Sequence, residues 1–362
     1  MVADLHTLLA FVLVLGILIS VHEFGHYAVA RWRGVHVETF SVGFGPALLS
    51  RTDRRGTVWK LAIIPLGGYV RMQGWAELGG EAGGEDAPGS FRTKSLASRA
   101  MIIAGGPFAN FLLAFVLLTG ITAILGSETV LPVISGVVAH SPAARAGLHP
   151  GERIISIDGT KVDNFFALHD LVAPFPGKKL TIVVQDHATQ RSLSLTPQAK
   201  MLNGHRIGEI GVIGGDFARK PVSLPIAVLD GAAQTWRLTA ATFHGLWHLI
   251  AFQQGVNQLG GPVKIAELSG RAASLGAGTF FTFIAMLSVN LGLLNLVPIP
   301  ILDGGHLLYY AYEAVRRRPL PRSVQELGLG FGAMVLLSLI VVVSWHDLHI
   351  PSPMTWLTHL LN

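Results

Sequence analysis

The sequence holds no cysteine among its 362 residues. That absence excludes disulfides, thiolate metal sites and thiol nucleophiles, so any metal must bind through His, Asp, Glu or water. Charge is scarce as well. Asp, Glu, Lys and Arg make up 14% of the chain, against roughly 25% in soluble domains. Hydrophobic residues supply 50%, and the mean hydropathy is +0.50. These figures point away from a soluble protein. The start, "MVADLH", lacks a positive n-region, and no small-residue cleavage site follows. The first apolar run therefore reads as a retained helix, not a signal peptide. The length fits two or three domains. The net charge is +5, but the basic residues cluster beside apolar runs. That pattern suits a lipid bilayer and argues against nucleic acid.

A spanning helix needs roughly 20 apolar residues. Four stretches qualify: 5–30, 100–125, 280–300 and 327–344. Arg31 and Arg33 follow the first. Arg92, Lys94 and Arg99 precede the second. Arg316, Arg317, Arg318 and Arg322 lie between the third and fourth. The positive-inside rule expects these loops in the cytoplasm, and the N-terminus, residues 126–274 and the C-terminus outside.

Other periodicities occupy the intervals. Residues 35–72 read as strands, with partial alternation punctuated by Gly and Pro. Residues 74–90 are Gly-rich and acidic, as in a flexible loop. An insert follows with short strand-like runs such as "ERIISIDG" and "KLTIVVQD". Within it, Pro142 can open a short helix that Gly147 closes. Residues 225–252 carry helical apolar spacing with polar residues interleaved, an amphipathic helix lying on a membrane surface or packed on the bundle. The expected order is a first span at 1–34, a β region with a cytoplasmic loop at 35–98, and a second span at 99–127. An extracytoplasmic insert occupies 128–215 and an amphipathic helical segment 216–274. A third span covers 275–310, and a basic loop, fourth span and tail cover 311–362.

The first apolar run contains "VHEFGH", an HExxH pattern of the zinc-protease type. Residues four apart share one helix face, so His22 and His26 can hold one metal ion. Glu23 is rotated by about 100° and can take a proton from a water on that metal without being a ligand. A catalytic zinc takes three protein ligands. The third candidate is Asp303, at the end of the apolar run "NLGLLNLVPIPILDGG". Pro298 and Pro300 cannot continue an ordinary helix, so the backbone opens there and can line an aqueous cavity. Asn295, two turns before Asp303, is a candidate donor to a substrate carbonyl. It serves equally well as an interhelical hydrogen-bonding group. His306 is an alternative ligand or a neighbour of one. His244 and His248, another pair four apart, lack the glutamate and read as a polar interfacial face.

The blocks "VHEFGHYAVA", "FSVGFGP", "IPLGGYVRM", "AGGPFANF", "LGGPVKIAELSG" and "LNLVPIPILDGGH" resemble the site-2 protease family, in its bacterial RseP-like branch. The resemblance covers nearly the whole chain. It implies a polytopic α-helical membrane protein with four transmembrane helices, a membrane-associated β region and one inserted PDZ-like α/β domain. It implies intramembrane proteolysis with Zn2+ held by His22, His26 and Asp303, Glu23 as catalytic base, and a β edge at 35–72 presented to substrate. Implied partners are single-pass membrane substrates such as anti-sigma factors, already cut by a site-1-type protease, and remnant signal peptides. The implied location is the bacterial inner membrane, with the active site toward the cytoplasm. In the insert, "SPAARAGLHPGERIISIDGTKV" is similar to a PDZ domain, with Ala146, Gly147 and Leu148 in its peptide-binding region. Some relatives carry two tandem PDZ domains; this chain has room for one. Two other readings remain open on the residues. One is a metal or proton transporter, disfavoured because no inverted repeat is evident. The other is a PDZ scaffold with a vestigial zinc site.

Overall fold

Apolar runs of this length become helices in lipid because a helix satisfies its own backbone hydrogen bonds. A computed structural model of the chain describes residues 5–75, 87–186, 189–202, 205–214, 217–252 and 260–347. Four of its helices are long and apolar enough to cross a membrane: α1 (Leu5–Trp32), α2 (Leu96–Leu125), α7 (Ala277–Asn295) and most of α9 (Arg322–Asp347). The third is shorter than the expected 280–300 span. It stops at Asn295, and a turn carrying Pro298 and Pro300 leads to a separate helix, α8 (Asp303–Arg316). Proline lacks the N–H and clashes with the preceding turn, which accounts for the stop.

The chain divides into two compact units, 1–121 with 228–362, and 122–227. In the first unit, the buried residues of α1 other than Gly25 fall every four positions: Ala10, Val14, Leu18, His22, His26 and Ala30. The two histidines therefore continue the ridge that α1 packs inward. Lipid tails are as apolar as leucine, so close approach and polar contacts must join helices here. Gly25 and Gly105 supply the close approach. A Cβ on Gly105 would lie 2.7 Å from the Gly25 carbonyl oxygen, and a Cβ on Gly25 would strike the Gly105 carbonyl. Ser288 of α7 donates to the Asn110 carbonyl of α2 at 2.8 Å.

Strands β1 (Val37–Thr52) and β2 (Val58–Met72) form one bent sheet. Residues 39–42 are paired twice, with 68–71 and with 58–61; Ser41 faces both Tyr69 and Lys60. At one end Val37, Phe40, Val70 and Met72 pack with Ala30, Ile102 and Ile103 of α1 and α2. At the other, Phe44, Leu48, Leu49, Ile63 and Ile64 are exposed. Of the expected loop at 74–90, residues 76–86 lie outside the described residues.

The second unit is larger than the expected 128–215. Strand β3 (Ser127–Val130) pairs antiparallel with β12 (Phe217–Lys220), so pairing extends past both expected ends. Between them lie β4 (Ile134–Val137), α3 (Pro142–Arg145), β5 (Arg153–Ile157), β6 (Thr160–Lys161) and α4 (Phe165–Val172). Strands β7 (Leu180–Asp186), β8 (Thr189–Leu195), β9 (Gln198–Leu202), β10 (His205–Glu209) and β11 (Val212–Gly214) follow. A four-stranded sheet runs β6-β5-β7-β8. Ile154, Ile182, Val184, Leu168 and Ile134 fill one aliphatic core. The start and stop of α3 are those expected. Ser141 Oγ accepts from the Ala144 N–H at 3.1 Å, Pro142 opens the helix, and Gly147 turns out at φ +73.

The expected amphipathic segment is two helices, α5 (Leu224–Phe252) and α6 (Pro262–Ser274). On α5, Thr242 Oγ1 donates to Asn290 Oδ1 of α7 at 2.7 Å. On α6, Gly270 presses against Thr7 of α1. Residues 348–362 of the expected tail lie outside the described residues.

Candidate metal centre

His22 and His26 are 8% and 7% exposed, and their rings meet edge to face at 4.8 Å. Each ring is oriented from α2. His26 Nδ1 donates to the Ile102 carbonyl at 2.9 Å, which leaves the Nε2 lone pair facing inward. Pro107 has no N–H to give the carbonyl of Ile103, so α2 is loosened at this level. Asn110 Nδ2 lies 3.1 Å from His22 Nδ1. Gly106 leaves the space the rings occupy. A Cβ there would lie 2.7 Å from His22 Cε1 and collide with His26 Nε2.

Asp303 reaches the pair from α8. Its Oδ2 lies 3.2 Å from His22 Nε2 and 3.5 Å from His26 Nε2, and the two Nε2 atoms are 3.2 Å apart. The first turn of α8 comes close because Gly304 and Gly305 have no Cβ to strike the carbonyls of Leu296, Val297 and Ile299. Asp303 Oδ2 is buried with no hydrogen-bond partner. A tetrahedral zinc with bonds of about 2.0–2.1 Å holds its ligand atoms about 3.3–3.4 Å apart. The three observed separations match that spacing. The donor set of two imidazole nitrogens and one carboxylate oxygen also suits zinc, and the idle Oδ2 gains a partner when a cation is present. The residues therefore fit the metal.

The cluster opens on a cavity of about 380 Å³. Glu23, Asn295, His306, Val70, Trp75 and Leu329 are among its lining residues. Asn295 and Asp303 do not share a helix, as a two-turn spacing suggests; the proline turn carries both to one cavity. Pro298 and Pro300 make that turn but do not line the cavity. His306 lines it against the Trp75 ring, centroids 5.0 Å apart, outside the three-atom cluster. His244 and His248 lie side by side on α5 with centroids 4.5 Å apart and rings tilted by 30°, and no third ligand joins them among the described residues. Asn110 was not singled out from the sequence. Its signal was there: a polar residue inside an apolar run, four positions after Gly106.

The second unit has its own groove, of about 250 Å³. Phe165, Leu168 and Val172 of α4 line one side and residues 207–212 the other. Ala146, Gly147 and Leu148 are not part of it. They close the turn after α3, and Leu148 is 3% exposed in the core.

Membrane-length helices converging on a His–His–carboxylate cluster place the chain among membrane-embedded metalloproteins. A family model described as Peptidase family M50 matches residues 10–339. The chain belongs to that family, the site-2 proteases, and is a zinc metalloendopeptidase of the RseP-like kind. A protein of Agrobacterium fabrum named "Putative zinc metalloprotease" is 38% identical, over 93% of this chain and 94% of its own. One of Mesorhizobium japonicum with the same description is 38% identical, over 95% and 99%. The regulator of sigma-E protease RseP of Salmonella typhimurium is 31% identical, over 96% of this chain and 99% of its own. That last alignment runs to 453 positions, so the relative carries sequence this 362-residue chain lacks. Among solved structures, a PDZ domain from Listeria monocytogenes overlaps 23% of this chain and 84% of its own, at 22% identity and a TM-score of 0.20, too low to bear on the fold.

Proposed function

We propose that this protease hydrolyses peptide bonds inside the transmembrane segments of single-pass membrane proteins, the second cut of regulated intramembrane proteolysis. The observation that carries the reading is the near-equilateral triangle of His22, His26 and Asp303 beside Glu23, in a cavity bounded by apolar helices. These three residues would hold the zinc. When bound, zinc supplies Lewis-acid polarisation and makes water acidic enough to lose a proton near neutral pH. Glu23 would take a proton from the attacking water as it adds to the scissile carbonyl, and return one to the leaving amide nitrogen. The Asn295 side chain donates to the carbonyl oxygen as charge gathers on it.

A helical peptide bond is shielded by its own hydrogen bonds, so the substrate must be extended before attack. The 68–72 edge of β2 is suited to hold it. Val70 and Met72 line the cavity, and the segment's other edge carries no strand among the described residues. Main-chain pairing there would straighten the substrate. The exposed apolar end of the sheet fits a region dipped into lipid. The basic residues flanking α1, α2, α8 and α9 support a cytoplasmic placement for those ends, and an extracytoplasmic one for the insert, in a bacterial inner membrane. The similarity to RseP supports anti-sigma factors as the substrate class, after a first cut by a site-1-type protease. We take the insert to be one PDZ-like domain whose α4 groove receives a peptide end.

The test is cleavage of a model transmembrane substrate by purified protein and by Glu23→Gln. General-base loss is expected to slow cleavage by about 10²–10⁴-fold, with one zinc per chain kept by elemental analysis. Wild-type turnover by the variant would overturn the mechanism.

A further inference from the structure

His26 and His22 meet the cavity alike but are oriented differently. A metal-bound imidazole must offer one nitrogen lone pair, so its other nitrogen carries the proton and needs an acceptor. His26 satisfies this requirement with the Ile102 carbonyl. His22 Nδ1 instead faces the Asn110 amide at 3.1 Å, with the NH2 end toward it. That end can only donate, which would leave the proton on Nε2, the nitrogen that points at Asp303. Meanwhile Asn110 Oδ1 is buried and accepts nothing. A 180° rotation of the amide exchanges the two ends at almost no cost in shape. It puts the idle acceptor on His22 Nδ1–H and frees Nε2 for a metal. The backbone beneath is held still. Asn110 is 0% exposed, its carbonyl accepts from Ser288, and a Cβ added to Gly292 of α7 would lie 3.3 Å from the Asn110 Cβ, so α7 packs close against it.

We propose that Asn110 is the positioning residue of His22, its Oδ1 accepting the Nδ1 proton in the metal-binding state. This rests on the assignment of His22 as a ligand. Asn110 touches neither metal nor substrate; it selects which imidazole nitrogen is free. Losing such a partner typically weakens metal binding by about 10–100-fold.

The experiment measures zinc affinity of the full chain in detergent by competition with a chelator. Asn110→Leu, which has no acceptor, is expected to bind about 10–100-fold more weakly. Asn110→Asp, which keeps one, is expected to bind far more tightly than the Leu variant. Should the Leu variant fail to fold, Asn110→Ala gives the same contrast. Thr242→Ala removes a different interhelical hydrogen bond, to Asn290 of α7, without touching Asn110 or His22, and is expected to leave affinity unchanged. Imidazole nitrogen NMR of the zinc-loaded wild type should show His22 protonated at Nδ1. Zinc binding by Asn110→Leu or Asn110→Ala equal to wild type, or an Asp variant no better than the Leu variant, overturns the proposal. His22→Phe separates the two claims. If it binds zinc as wild type does, the ligand assignment fails and Asn110 falls with it. If it loses zinc while Asn110→Leu keeps it, only the role of Asn110 fails.

Discussion

The membrane unit and the inserted unit are held together by different physics. The insert has an ordinary aliphatic core in which Ile134, Ile154, Ile182 and Val184 are all 0% exposed. Each such side chain gains about 1.5–3 kcal/mol by leaving water. The helical unit has no such gain across its lipid-facing helices. Its close contacts are glycine on glycine, as at Gly25 and Gly105, and single polar pairs such as Ser288 to Asn110 and Thr242 to Asn290. Polar contacts of this kind average only about 0.6 kcal/mol each. A lost methylene should therefore hurt the insert most, and an added one should hurt the bundle most.

Gly105→Val is the strongest break of that contrast. Its side chain meets the Gly25 backbone, which cannot give way, and the Val29 side chain beside it, so α1 and α2 must separate and carry the histidines away from Asp303. Overpacking of this kind costs about 1–3 kcal/mol or more. Zinc per chain is expected to fall severalfold, and wild-type zinc content would refute the packing argument. Ile182→Ala is the converse. It removes core volume at a cost of about 2–5 kcal/mol. Hydrogen exchange should speed across 127–220 in the intact chain while zinc content holds. Loss of zinc would show the units to be coupled.

Gly147→Ala sharpens the comparison further. Nothing lies within 4 Å of a Cβ there, but φ is +73. The effect is backbone strain alone, about 1 kcal/mol, read as a small loss of protection after α3. The smallest effect is expected at Asp53, in the β1–β2 turn. Desolvation pushes its carboxyl up, but hydrogen bonds from Trp59 Nε1, Thr57 N–H and Arg55 N–H, with Arg31 nearby, hold it below its ordinary value. A depressed carboxylate stabilises the fold above the unfolded pKa, and that contribution is lost as pH falls through the folded one. Exchange at Arg55 and Thr57 should rise at acidic pH in wild type, and be fast and pH-insensitive in Asp53→Ala beyond the intrinsic rate. A wild-type turn indifferent to acid would remove the carboxylate from its account.

Local patterns were legible in the sequence wherever the cause lay within a few residues. The HExxH spacing places two imidazoles on one ridge by helix geometry alone. Pro142 and Gly147 mark both ends of α3. Apolar length marks four spans. What was missed depended on distant partners. The insert's true edges are set by β3 pairing with β12, about 90 residues apart in a chain whose strands read alike before pairing. The groove of that unit lies at α4 and residues 207–212, apart from Ala146 to Leu148, and forms where the elements leave the space between them unfilled; no residue pattern in one segment marks it.

The metal centre divides in the same way. By itself the sequence determined which donors were on offer: no thiol was available, and His22, Glu23, His26 and Asp303 are polar residues within or at the end of apolar runs, where lipid disfavours polar groups. Only the tertiary structure decided the arrangement. Asp303 comes within 3.2 Å of His22 because a proline turn and two glycines let α8 start against the end of α7. The rings are aimed by Ile102 and Asn110, on a helix some 80 residues further along the chain. Spacing within a helix is set by covalent geometry and can be read from one segment. Which nitrogen faces the metal is set by the hydrogen bond made to the other one, and that partner exists only once the helices have packed.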